Sequence, residues 1–82
     1  MKIAIIARSV YCRRILEFLK FSAEGTYEFT GTKYYGHNEV AVFIFESTEE
    51  AEVINTEIWI KGNFLNDDVI TLRFANDLPM LE

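Results

Sequence analysis

Few residues in this chain of 82 are equipped for chemistry, and their spacing restricts what that chemistry would be. There is one cysteine, Cys12, and one histidine, His37. Cys12 stands beside Arg13 and Arg14 near a predicted helix start, a setting that lowers a thiol pKa. It also falls on the apolar face of that helix, where cysteine behaves as a small buried hydrophobe. No Cys-x5-Arg spacing follows it, because position 18 is Phe18. We read Cys12 as core. His37 lies between Gly36 and Asn38 in a predicted turn, with no local acid–base partner. Ser9, Ser22 and Ser47 lack the context of a nucleophile elbow.

Metal and phosphate motifs fare no better. One Cys and one His cannot supply a four-ligand zinc site. Asp67, Asp68 and Asp77 lack the spacing of a calcium loop, and adjacent aspartates suit a turn. The stretch from Gly25 to Lys33 superficially suggests a phosphate loop. Its glycines are six apart, Thr32 separates Gly31 from Lys33, and Tyr27 and Phe29 alternate as in a strand. We expect no cofactor, no metal and no enzymatic activity.

Three clusters remain as candidate binding sites. The first is Arg8, Ser9, Arg13 and Arg14, where a strand is expected to lead into a helix. Helix N-terminal N–H groups attract anions, and arginine forks grip phosphate or carboxylate. The plainer reading puts Arg13 and Arg14 on a solvent face, with Arg14 bridging Glu17. The second is Lys33-Tyr34-Tyr35-Gly36-His37, expected as a loop whose tyrosines suit a protein interface or base stacking. The third is the acidic run Glu46, Glu49, Glu50, Glu52 and Glu57, which would meet a basic groove or simply complement a helix start.

The charge balance separates the two halves of the chain. Residues 1–37 carry a balance of +3 and residues 38–82 one of −8, giving the net −5. That sign opposes sequence-independent nucleic-acid binding, which rests on phosphate neutralisation. A lone cysteine excludes an internal disulfide. The apolar runs Ile3–Ala7 and Val40–Phe45 are too short for a signal core or a membrane span. The expectation is a cytoplasmic protein with no membrane partner.

The elements that must hold these residues follow from hydrophobic spacing. Lys2–Ala7 is a buried strand. Val10–Phe21 has helical spacing through Tyr11, Ile15, Phe18 and Leu19, with Ser9 as the expected N-cap. Thr26–Thr32 alternates as an edge strand, and Gly31–Asn38 reads as a turn. Val40–Phe45 is apolar on both faces and needs cover on both. Ser47-Thr48-Glu49-Glu50 fits a capping box, predicting a short helix to about Asn55. A rival reading extends a strand from Val53 to Lys61, since Ile54, Ile58 and Ile60 share a parity. With the helix, Glu57–Lys61 becomes a strand, Gly62–Asp68 a loop and Val69–Phe74 a further strand. Residues 75–82 are expected as an irregular tail.

The order β-α-β-β-α-β-β, within a single domain spanning 1–82, resembles the βαββαβ ferredoxin-like sandwich with an additional C-terminal strand, an α+β class. The functional expectation is a small non-enzymatic interaction module, an inhibitor or adaptor of a larger protein of the kind a mobile element encodes. Its contact residues would be Tyr34, Tyr35, Glu49, Glu50 and Glu52, and it would be capable of homodimerising. The alternative is a nucleotide- or RNA-binding domain using Arg8, Ser9, Arg13 and Arg14.

Overall fold

The computed structural model describes residues 1–74. Strand β1 (Lys2–Arg8) is followed by a 3₁₀ turn at Ser9–Tyr11 and helix α1 (Cys12–Phe21). A hairpin of β2 (Thr26–Tyr35) and β3 (Asn38–Glu46) comes next, then helix α2 (Glu50–Asn63) and strand β4 (Val69–Phe74). The four strands form one antiparallel sheet in the order β2-β3-β1-β4. The class is therefore a small mixed α+β fold. The two strands that read as apolar on both faces, β1 and β3, take the centre, where both faces are least wetted.

Alternation divides the sheet residues between two clusters. Ile3, Ile5 and Ala7 of β1 join Ala41, Phe43 and Phe45 of β3 on the helix side. They pack there with Ile15 and Leu19 of α1, and with Val53 and Ile60 of α2. Each fully buried Ile, Leu, Val or Phe side chain among them contributes about 1.5–3 kcal/mol. Ile6, Val40 and Val42 form a smaller cluster on the other face, with Tyr35 against it. The two helices are joined by an aromatic seam. Phe18 stacks on Trp59 at 3.9 Å, and Phe64 meets the edges of both Tyr11 and Trp59.

Several sequence expectations change. Glu57–Lys61 is not a strand, because α2 runs through it. The buried positions are Val53, Thr56, Ile60 and Phe64, a helical spacing, whereas Ile58 is 61% exposed and Ile60 2%. No additional strand is therefore needed: Val69–Phe74 is the fourth strand of the sheet. The Ser47–Glu50 capping box does not form either. The helix begins at Glu50 with Glu49 as N-cap, and the Ser47 hydroxyl accepts from the Glu49 N–H at 3.1 Å. Ser9 is no N-cap; the chain enters α1 through a 3₁₀ turn, and the Ser9 hydroxyl donates to Glu39 at 3.1 Å. The segment 31–35 is strand, and only Gly36-His37 turn. Gly31 marks a bulge inside β2; its φ of 103° is open to glycine and strained for other residues. The tail at 75–82, with Asp77, lies outside the described residues.

One ion pair fastens α2 to β4. Arg73 donates through two guanidinium nitrogens to the carboxylate of Glu57. These hydrogen bonds hold the Glu57 carboxyl below the usual carboxylate range. The folded state therefore takes up this proton less readily than the unfolded chain. The stabilisation is complete above the ordinary carboxylate range and is lost as pH falls through the lowered value. Glu57→Gln should flatten the acid limb of stability, read as urea midpoints from about pH 6 down to about pH 2. An unchanged slope in the variant would remove the pair from the acid response.

Candidate functional site

The described residues place the candidates at opposite ends of the sheet. At one end, the loop leaving α1, the end of β3 and the start of α2 converge. Glu24, Glu46, Glu49 and Glu52 line an open cleft of about 390 Å³ there, together with Gly25, Thr26, Ser47 and Thr48. The lining holds no basic side chain. Among the described residues, none of the four carboxylates is in a salt bridge; the two ion pairs are Arg8–Asp68 and Arg73–Glu57. Glu50 stands exposed in the first turn of the same helix. Lys2 pairs with Glu46 in the strand register, and the Met1 ammonium lies against Ser47 of the lining.

Local structure fixes this end firmly. The Met1 amino group donates to the Ser47 carbonyl at 2.9 Å, and the Ser47 N–H donates back to the Met1 carbonyl at 3.1 Å. Inside α2 the buried Thr56 hydroxyl donates to the Glu52 carbonyl at 2.9 Å, so its polarity is satisfied within one turn. The acidic first turn of α2, Glu50 and Glu52, lies at the positive end of the helix dipole.

Tyr34 and Tyr35 lie far from this cleft. They end β2, whereas Thr26 at its start lines the cleft, a span of roughly 26 Å along the strand. Nor do they share a face. Tyr34 pairs with Glu39 on the helix side and is 72% exposed, while Tyr35 packs with the cluster on the other face. The two tyrosines and the glutamates thus form separate surfaces.

The arginine cluster is largely drawn into internal contacts. Arg8 reaches Asp68 at 3.8 Å, and Ser9 bonds to Glu39. Arg14 does not bridge Glu17; its guanidinium lies 4.5 Å from the centre of the Phe64 ring, a cation–π contact. Arg13 is exposed. Asp68 also accepts from the Tyr11 hydroxyl at 3.4 Å, which gives the predicted turn aspartate a structural task. Cys12 packs against the core, and burial pushes its thiol pKa up, away from reactive thiolate. His37 is exposed at the hairpin tip. Among the described residues no three His, Cys, Asp or Glu side chains gather as a metal-binding group. No described helix is long and apolar enough to cross a membrane.

Glu24 and Gly25 of the cleft escaped the sequence reading. Gly25 entered it only as the start of the rejected phosphate-loop stretch, and no local signal connects either residue to Glu49. Their proximity arises when β2 pairs with β3 and Thr26 comes to lie opposite Glu46. No family model matches this chain, and no curated protein or solved structure matches it either.

Proposed function

We propose that this chain is a small non-catalytic interaction module, an inhibitor or adaptor, that docks a basic surface of a larger cytoplasmic protein at its acidic end. The observation that carries this reading is the cleft lined by Glu24, Glu46, Glu49 and Glu52 without a basic side chain in its lining. Gathering like charges costs self-repulsion, and a cationic partner relieves it while steering encounter. We also read the arrangement as a ferredoxin-like sandwich; the element order and the central places of β1 and β3 support that.

A nucleic-acid reading has less support. Domains that bind RNA on an open sheet stack bases on exposed aromatics of the central strands. Here Phe43 and Phe45 of β3 turn toward the helices, and the opposite face offers Ile6, Val40 and Val42. Charge reversal tests the proposal. A Glu49→Lys/Glu50→Lys/Glu52→Lys variant should associate with the partner captured by the native chain at least about tenfold more slowly at low salt. Equal rates and equal affinity for both chains would remove the acidic end from recognition.

A further inference from the structure

We propose that the outer edge of β2 pairs antiparallel with β2 of a second copy, about a two-fold axis passing between Thr30 and Gly31. This does not rest on the acidic-end reading, since it concerns a different surface. Strand β2 is ten residues long and lies at the sheet edge, where one row of backbone N–H and C=O groups has no strand partner among the described residues. It also holds Phe29 45% exposed and Tyr34 72% exposed. A long exposed edge of this kind is a template for another strand. The other edge, β4, has six residues.

The bulge decides the occupant. Opposed residues in an antiparallel pair must point to the same face, so a one-residue slip is ruled out along a regular strand. In β2 the register shifts between Phe29 and Gly31 and inverts the alternation there. Phe29 and Thr32 both lie opposite odd-numbered residues of β3, Phe43 and Ala41. Glu28 and Lys33 both lie opposite even-numbered ones, Ile44 and Val40. Members of each set share a sheet face and the direction of their backbone hydrogen-bonding groups. Laying β2 on itself with Thr30 against Gly31 of the second copy matches the faces of every pair outside the bulge: Phe29 with Thr32, Glu28 with Lys33, Tyr27 with Tyr34 and Thr26 with Tyr35. Slipping by one residue sets Phe29 against Lys33 or Gly31, which lie on the opposite face, and slipping by two toward the strand's end sets Gly31 against Thr32. A bulge ordinarily deters pairing with a regular strand; a second β2 carries the same bulge at the same place.

The side chains agree with that register. Glu28 falls opposite Lys33 of the second copy, and Lys33 opposite its Glu28, both on the face away from the helices. Tyr27 falls opposite Tyr34 of the second copy on the helix face. Opposite charges and aromatic pairs directly across strands are the favourable combinations. The charges that would discourage a foreign strand are thus complementary to themselves.

Sedimentation velocity across about a hundredfold concentration range tests the proposal. Circular dichroism confirms that each variant is folded, as expected for substitutions at exposed positions. The native chain should dimerise reversibly. Glu28→Lys alone and Lys33→Glu alone should each weaken the dimer about tenfold, because each places two like-charge pairs across the axis. The double variant, Glu28→Lys with Lys33→Glu, should regain native affinity. A native chain that stays monomeric overturns the proposal. So does a dimer indifferent to either single reversal, or one that the double variant fails to restore.

Discussion

Phe43→Ala is expected to remove about 3–5 kcal/mol of stability, the usual range for emptying a buried phenylalanine site. Phe43 is fully buried at the middle of β3, opposite Ile5 in the register, with the Phe29 ring 5.1 Å away. Its own strand β3 and that of Ile5, β1, are held by backbone ladders on both sides, so the site has little room to collapse. A chain of this length has roughly 4–12 kcal/mol of total stability. The substitution therefore takes a large share of it. Urea denaturation should show a sharply lower midpoint, or no folded baseline. An unfolding free energy within about 0.5 kcal/mol of native would mean that Phe43 is not in the main core.

Gly25→Ala should cost about 1–3 kcal/mol, although it adds a single methyl group on the protein surface. A β-carbon at this position would sit 2.5 Å from the Glu46 carbonyl oxygen and 2.8 Å from the Phe45 ring. The oxygen belongs to the backbone of β3 and cannot swing aside, and Phe45 is fully buried. Relief requires the loop to move away from β3, and that loop carries Glu24 into the acidic cleft. The same variant should therefore weaken partner binding as well as stability. Thermal unfolding checks the first effect. Native stability in Gly25→Ala would show that the loop does not lie against β3 as described.

Much of this framework is legible in the sequence because burial wrote it there. Strands β1 and β3 announce themselves as short apolar runs, and α1 through Ile15 and Leu19. Helix α2 is obscured for two physical reasons. One of its buried positions is the polar Thr56, acceptable because its hydroxyl is satisfied within the helix. Two outward positions, Ile54 and Ile58, are apolar. The expected turn at Gly31 is instead a bulge, since one positive-φ residue distorts a ladder without ending it. The acidic run was readable along α2, but Glu24 and Gly25 were not, because only strand pairing brings them there. Arg14 was expected to find Glu17, yet it lies over Phe64, a residue fifty positions away that no local pattern connects to it.

The most direct test of the central claim is an amide chemical-shift titration of the isotope-labelled chain. A lysine- and arginine-rich peptide is added first, and a short oligonucleotide is added to a separate sample. Recognition at the acidic end predicts that the peptide moves Gly25, Thr26, Glu46, Ser47 and the first turn of α2, with a response that fades as salt rises. Peptide binding that leaves these residues still would contradict the proposal. So would an oligonucleotide that binds through Arg8, Ser9, Arg13 and Arg14.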